Sequence, residues 1–440
     1  MNPYPEYKNS GLAWLGKVPK HWGIEKLKFN ARVHFSNVNK KNEEGEIPVK
    51  LCNYVDVYYN SEIGPDIEFM EASASLEEIK KFQLSTGDVL ITKDSEEWTD
   101  IAVPAYVAVD IPNLLCGYHL AQIRSGHQLR GDFLLWLLSS NRINYQFKIE
   151  ASGVTRYGLS NHALSNSLVL LPPIEEQKQI ADFLKTKTAQ IDDLISKKEK
   201  IIQLLKEERA ATINQAVTRG LNHKVELKDS GITWLGKIPK HWKTKRLKYI
   251  AQVNLHSLPE STPNEYEFKY IDIGNVDLED GVGSGEKINF ANAPSRARRI
   301  VKDGDTIIST VRTYLKAIAF VDFDPKDTIC STGFAVISPR GVATKFLYYI
   351  LRSGRFIDRI EALSVGVSYP AINASEIMDI PGWYPPTPEE QHEIVNYLDL
   401  VLSKIAVKID RLKKEIEHLH EYRAAIISEV VTGKIDIRRS

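Results

Sequence analysis

The sequence predicts two α/β domains in a pseudo-two-fold arrangement, joined by two long antiparallel helices. Three observations carry that reading: a tryptophan-rich segment written twice, a Pro-Pro…Glu-Gln segment written twice, and an apolar heptad stripe behind each of the latter. The element boundaries that follow are 1–173 and 220–386 for the two α/β domains. The helices occupy 174–219 and, with a tail, 387–440.

The tryptophan segment opens each half. Residues 8–28, KNSGLAWLGKVPKHWGIEKLK, return at 228–248 as KDSGITWLGKIPKHWKTKRLK, with 13 of 21 positions identical at an offset of 220. Trp14, Pro19, His21 and Trp22 recur as Trp234, Pro239, His241 and Trp242. Histidines set beside tryptophans in this way are expected to be packed or hydrogen-bonded. The domains between the markers diverge but keep an outline. Gly87-Asp88 and Gly304-Asp305 each lead into an apolar strand, Phe133–Leu138 and Phe346–Leu351 read as helices, and Gly153-Val-Thr-Arg-Tyr and Gly366-Val-Ser-Tyr read as turns.

The helices come next. LPPIEEQKQI (171–180) recurs as YPPTPEEQHEI from Tyr384, and from Glu176 and Glu390 the copies run without a gap at an offset of 214. Glu175, Glu176, Glu389 and Glu390 fall in a first turn, where the dipole favours carboxylates, and Thr387 with Glu390 has capping-box spacing. The predicted seam of the first helix takes in Ile180, Leu184, Ile191, Leu194, Ile201 and Leu205. That of the second takes in Ile394, Leu398, Ile405, Leu412, Leu419 and Ile426, with Ile195, Ile202, Ile409 and Ile416 widening the stripes. Helices of this length exceed what a domain of this size buries, so each is expected to pack on a partner, most simply on the other.

Composition narrows the class. With 440 residues, 43% hydrophobic and 26% charged, the chain is expected to be globular, and no apolar run approaches the length of a bilayer span. The first residues lack a basic flank and apolar stretch, so no signal peptide is expected, and the location expected is the cytoplasm. Cys52, Cys116 and Cys330, odd in number and far apart, are expected to be reduced thiols. A net charge of zero means that any nucleic-acid surface must be local.

Two stretches qualify. Residues 294–316 carry Arg296, Arg298, Arg299, Lys302, Arg312 and Lys316 against two aspartates, and residues 119–160 carry Arg124, Arg130, Arg142, Lys148 and Arg156 against two acids. Base reading needs donors on protruding loops. The loops after the Gly-Asp strands offer Lys93 in the first half and Arg312, Thr313 and Tyr314 in the second. The glycine turns offer Thr155, Arg156, Tyr157, Ser368 and Tyr369.

Variable domain, Pro-Pro/Glu-Gln helix, variable domain, Pro-Pro/Glu-Gln helix: this order resembles the specificity subunit of type I restriction–modification systems across essentially the whole chain. The Trp-Leu-Gly-x-x-Pro-x-x-Trp segments are similar to the start of that family's target recognition domains. The resemblance implies a non-catalytic subunit whose two recognition domains each read half of a bipartite double-stranded DNA site. It implies helices that form an antiparallel coiled coil, fix the gap between half-sites and dock two methyltransferase subunits. Those partners carry S-adenosylmethionine and methylate adenine. Restriction subunits acting as motor and nuclease add ATP and Mg²⁺, while this chain holds no cofactor or metal of its own.

Other readings find less support in the residues. The Asn/Asp-Pro-Pro-Tyr/Phe motif of an amino-methyltransferase and the GxxxxGK[ST] motif of an ATP motor do not occur, and the glycine cluster Gly281–Gly285 is a weak cofactor signal. Asp66, Glu78 and Lys80 have the loose spacing of a Mg²⁺-dependent nuclease, without a counterpart in the second half. Two modules on a coiled coil also suit a scaffold that recognises protein rather than DNA.

Overall fold

The computed structural model describes residues 2–439. It divides into two compact units, one made of the chain up to Lys198 together with the segment from Lys413 on, the other of Glu199–Leu412. Each helix therefore gives one of its halves to each unit.

In the first unit a five-stranded sheet runs in the order Ala31–Phe35, Leu120–Ser125, Val89–Thr92, Pro104–Val107, Glu62–Ile63. A three-stranded sheet, Leu114–Cys116, Ile47–Cys52, Met70–Ala74, accompanies it. The second unit has matching sheets of four strands each: Ala251–Val253, Phe334–Pro339, Thr306–Ser309, Ile318–Phe320, and Glu286–Asn289, Glu267–Ile271, Thr328–Ser331, Ala297–Ile300. Pairing is mostly antiparallel. One parallel pair recurs in both units, Leu114–Cys116 on Ile47–Cys52 and Thr328–Ser331 on Glu267–Ile271. Helices and sheets thus occupy both domains. All three cysteines are buried free thiols, and no helix among the described residues is long and apolar enough to cross a membrane.

The Gly-Asp turns have a shared physical purpose. Gly87 and Gly304 hold φ of 97° and 82°, the left-handed region that glycine tolerates. The aspartate that follows is buried and bolts the turn to a neighbouring strand. Asp88 accepts from Ser85 N and from Gln122 and Arg124, whereas Asp305 accepts from Lys302 N and Ser338 Oγ.

The repeated segments meet at one place in each unit. The strand after the tryptophan pairs with the strand before the long helix: Gly23–Lys26 with Leu168–Leu171, and Lys243–Arg246 with Pro381–Tyr384. Trp22 Nε1 then donates to Glu176 Oε1 at 3.1 Å, and His21 Nε2 lies 2.8 Å from Glu176 Oε2. In the second unit Trp242 Nε1 donates to Glu390 at 2.9 Å, with His241 Nε2 at 2.8 Å. Tyr4 adds a third donor to Glu176 at 2.6 Å, and its burial beside that carboxylate pushes the phenol far above its ordinary range. Next in sequence, the Gln177 side chain accepts from Arg130 N at the start of helix Gly131–Ser139 and donates to the Gln128 and Pro172 carbonyls. Gln391 does the same for helix Thr344–Leu351, through Ala343 N and the Pro385 carbonyl. One Glu-Gln pair thus ties the tryptophan segment, the long helix and the domain's most apolar helix together.

The long helices span Ile174–Arg219 and Pro388–Val431. At 1.5 Å per residue their 46 and 44 residues reach about 65–70 Å. Both start two residues before the Glu-Gln pair, so the extra residue of the second copy is absorbed upstream of the helix. The capping-box expectation is corrected, since the Glu390 carboxylate turns to Trp242 and His241. Within the first unit the helices run in opposite directions: Asp192 pairs with Arg423 at 2.8 Å and Lys198 with Glu415 at 2.6 Å. In the second unit Ile213, Ala216 and Val217, late in the first helix, share a core with Ile394, Leu398 and Leu402, early in the second.

Ten of the twelve predicted seam residues are buried or half-buried. Ile180, Leu184, Ile191, Ile394, Leu398, Ile405 and Ile426 are buried, and Leu205, Leu412 and Leu419 are half-buried. Leu194 and Ile201 are corrected: they are 43% and 45% exposed, and their neighbours Ile195 and Ile202 turn inward instead. The second helix makes the same choice, with Leu402 and Ile409 buried. A four-then-three spacing from Ile191 meets the partner, whereas three-then-four drifts off the face.

Removing a carboxylate that satisfies buried donors leaves those donors unpaired. Glu176→Ala is expected to cost about 2–4 kcal/mol, and Glu390→Ala less, because Glu390 is 27% exposed where Glu176 is 4%. Hydrogen exchange read separately on peptides 8–28 and 228–248 checks this. Equal and small losses of protection would show that the pair does not hold the frame.

Candidate nucleic-acid interface

The two loop families singled out in each half prove to be one surface. In the first unit Asp94–Ser95, directly after the Gly-Asp strand, pairs with Tyr157–Gly158 in the glycine turn, and Ser152 bridges Gly158 to close the turn. In the second unit Val311 bridges Ala371, which also bridges Val365 to close the matching turn. Gly153 and Gly366 hold φ of 149° and 119°. A Cβ on Gly153 would lie 1.9 Å from the Arg156 carbonyl oxygen, so the turn requires glycine there.

These junctions project side chains. Thr155, Arg156, Arg312, Tyr314, Ser368 and Tyr369 are exposed, and Tyr157 is half-buried. Arg312 and Lys316 adopt left-handed backbone with φ of 50° and 53°, flanking a single 3-10 turn, Thr313–Leu315. Thr313 is buried and donates to Ser364 Oγ at 2.9 Å, so it anchors this loop and is corrected as a reading residue. The Arg312 guanidinium lies over the Tyr369 ring, 4.9 Å from its centroid, joining the two loops.

Several predicted basic residues are already engaged within the protein. Arg124 makes a two-pronged pair with Asp88 at 2.7 and 2.8 Å and also donates to the Gln83 carbonyl. The hydrogen bonds to Asp88 raise its already high pKa further. Arg124 is therefore engaged as a bolt of the sheet, with its side chain 43% exposed. Lys93 is three-quarters covered or more, 2.9 Å from Asp94 and 5.1 Å from the Tyr118 ring centroid. Burial works against the Asp94 carboxylate, but hydrogen bonds from His119 and Lys93 outweigh it and hold Asp94 below its ordinary range. Arg296 donates to Tyr270 OH, Arg298 to the Ala297 carbonyl and Arg299 to Ser257 Oγ, all on or beside an edge strand.

The alternatives lose their residues as well. Glu78 is the N3 residue of a capping box on helix Leu76–Phe82, accepting from Ser75, and among the described residues no group of three His, Cys, Asp or Glu could hold a metal. Gly281, with φ of 77°, opens the second strand of a short hairpin, Val276–Asp277 with Gly281–Val282.

A family profile for the type I restriction modification DNA specificity domain matches residues 29–205 and again 239–418. The chain belongs to that family. The putative type I restriction enzyme MjaX specificity subunit of Methanocaldococcus jannaschii is 27% identical over 433 residues, 96% of each chain. The EcoDI specificity subunit of Escherichia coli is 24% identical over 324 residues, 70% of each. Among solved structures, the HsdS subunit from Thermoanaerobacter tengcongensis is 17% identical, with a TM-score of 0.54 over 95% of this chain and 98% of that one. A chain solved in work on complex assembly and conformational transition of the type I R-M system reaches 0.66 at 18% identity, over 95% and 99%. The protein is a DNA-sequence-specificity subunit and not a catalytic one.

The specificity subunit's Glu-Gln pairs were legible as a motif, but the glutamates' hydrogen bonds to the tryptophans span 154 and 148 residues of chain and leave no local signal. Because Arg124 is engaged, Arg124→Ala is expected to cost about 1–3 kcal/mol of stability and to leave the DNA sequence recognised unchanged. Urea unfolding and mapping of the methylated site check both halves of that statement; a changed site would put Arg124 on the DNA.

Proposed function

We propose that this specificity subunit reads a bipartite double-stranded DNA target, one half-site through each recognition domain. The observation that carries the reading is the loop junction. In each domain the strand loop and the glycine turn are hydrogen-bonded into one exposed edge, carried on a frame that the other domain repeats. Copied frames with unlike edges suit two unlike half-sites on one duplex. In this reading the domains sit in a pseudo-two-fold arrangement, and the long helices form a continuous antiparallel coiled coil that sets the gap.

The same helices dock two methyltransferase subunits, which bring S-adenosylmethionine and methylate an adenine in each half-site. Motor-nuclease subunits with ATP and Mg²⁺ complete the assembly in the cytoplasm. The chemistry belongs to those partners, and this chain supplies position. Exposed apolar residues along the helices, among them Leu194, Ile201 and Leu204, support docking there.

Mapping methylated adenines in DNA from cells that carry the whole system tests the proposal. Methylation at two short, different sequences at a fixed separation is expected; scattered methylation, or a single undivided site, would contradict it. Four residues inserted at both Lys198 and Glu415 lengthen each helix by about 6 Å, and the preferred gap is expected to widen by about two base pairs at ~3.4 Å each. An unchanged gap in the insertion variant would separate the helices from spacing.

A further inference from the structure

The basic side chains near the two loop junctions fall into two groups. In the first unit Lys93, Arg124 and Arg130 are paired with Asp94, Asp88 and Asp132. In the second, Arg296 is 3.7 Å from Asp272 and Lys316 is 3.7 Å from Glu361. Among the described residues, the guanidinium groups of Arg156 and Arg312 have no hydrogen-bonding or ion-pairing partner, although both side chains are exposed at the junction itself.

The two arginines are not equivalent in sequence. Aligning Gly87 with Gly304 sets Asp94 against Val311 and Ser95 against Arg312. The bridges agree, since Asp94 pairs with Gly158 and Val311 with Ala371. Aligning Gly153 with Gly366 sets Arg156 against Tyr369. Each junction therefore carries one unpaired arginine, delivered by the glycine turn in the first unit and by the strand loop in the second.

Resting on the DNA-reading function above, we propose that Arg156 and Arg312 are the guanine readers of the two recognition domains, each donating in bidentate fashion to O6 and N7 in the major groove. Three features favour a base edge over a phosphate. Arg312 lies over the Tyr369 ring and sits on left-handed backbone that disfavours a side chain, so the directions its fork can take are restricted before DNA arrives. The exposed neighbours Tyr314, Leu315, Val367 and Ser368 in the second unit are uncharged, and the exposed Lys316 faces Glu361 at 3.7 Å, whereas phosphate tracks gather several unpaired cations. In the first unit Arg156 shares a cleft with Asp94, Glu96, Glu97 and Asp100 alongside Lys40 and His119, so carboxylates outnumber cations there and disfavour a phosphate. Guanine, with two acceptors in line, is the base that matches a guanidinium fork. Tyr369 is a positioning residue in this account.

The test uses the complete system. Wild type, Arg156→Ala, Arg312→Ala and Tyr369→Leu are compared by adenine-methylation mapping and by competition binding of the reconstituted complex on duplexes carrying the mapped site. Arg312→Ala is expected to lose discrimination at one G·C pair of one half-site by on the order of ten- to a hundredfold, with the other half-site read as before. Arg156→Ala is expected to do the same in the other half-site. Tyr369→Leu should weaken discrimination at the Arg312 position only. The untouched half-site in each variant reports that the protein is folded. Uniform weakening with an unchanged motif and a shallower salt dependence would make the arginines phosphate contacts and overturn the proposal, as would an unchanged motif with unchanged affinity. If wild type itself shows no bipartite motif, the DNA-reading function fails instead.

Discussion

Everything else in each domain hangs on the carboxylate and amide that open the long helix. Glu176 and Glu390 are held in place by an indole N–H and an imidazole from a segment some 150 residues earlier, and the adjacent glutamine closes the N-terminus of an apolar helix. Buried donors of this kind must be satisfied, and only a carboxylate at that turn does so for two or three at once. The constraint fixes the domain to its helix without passing through the sheet edges. Those edges are then free to differ.

That freedom explains the pattern of identity along the chain. The glycines at the helix ends belong to the same frame. Gly433, φ 69°, leaves no room for a Cβ against Pro19 and Trp22, and Gly220, also φ 69°, sits against Trp242 and Glu390. The tail beyond Gly433 continues the theme: Asp436 N donates to the Asn2 carbonyl, and Arg438 lies over the Tyr4 ring and 3.6 Å from Glu176. Each tryptophan segment thus meets the end of one long helix and the start of the other. A reader of two unlike half-sites needs its frame in duplicate and its reading edges in two versions.

Much of this architecture was legible in the sequence, for reasons that are local or periodic. The duplicated segments, the helix limits near Ile174 and Pro388, and the Gly-Asp strands all announce themselves within a few residues. The seam was legible only to within one position. Leu194 and Ile195 are both apolar, and which of them faces inward depends on a packing partner elsewhere in the chain. The reading surface was legible as loops but not as residues. Arg124, Arg156 and Arg312 look alike in a charge count, yet Asp88 engages the first and leaves the comparison to the other two. Thr313 looked like a donor for DNA and is buried on Ser364. Non-local partners decide such cases, and a linear reading carries none of them.

If frame and edge are separable, one head can replace the other. The direct measurement is adenine-methylation mapping with a complex whose subunit carries the second recognition domain in both frames, residues 228–386 replacing 8–172. The account predicts an inverted repeat in which both half-sites match the one that the second domain reads in the parent, at an unchanged gap. Retention of the asymmetric parental site, or two half-sites that still differ, would contradict it.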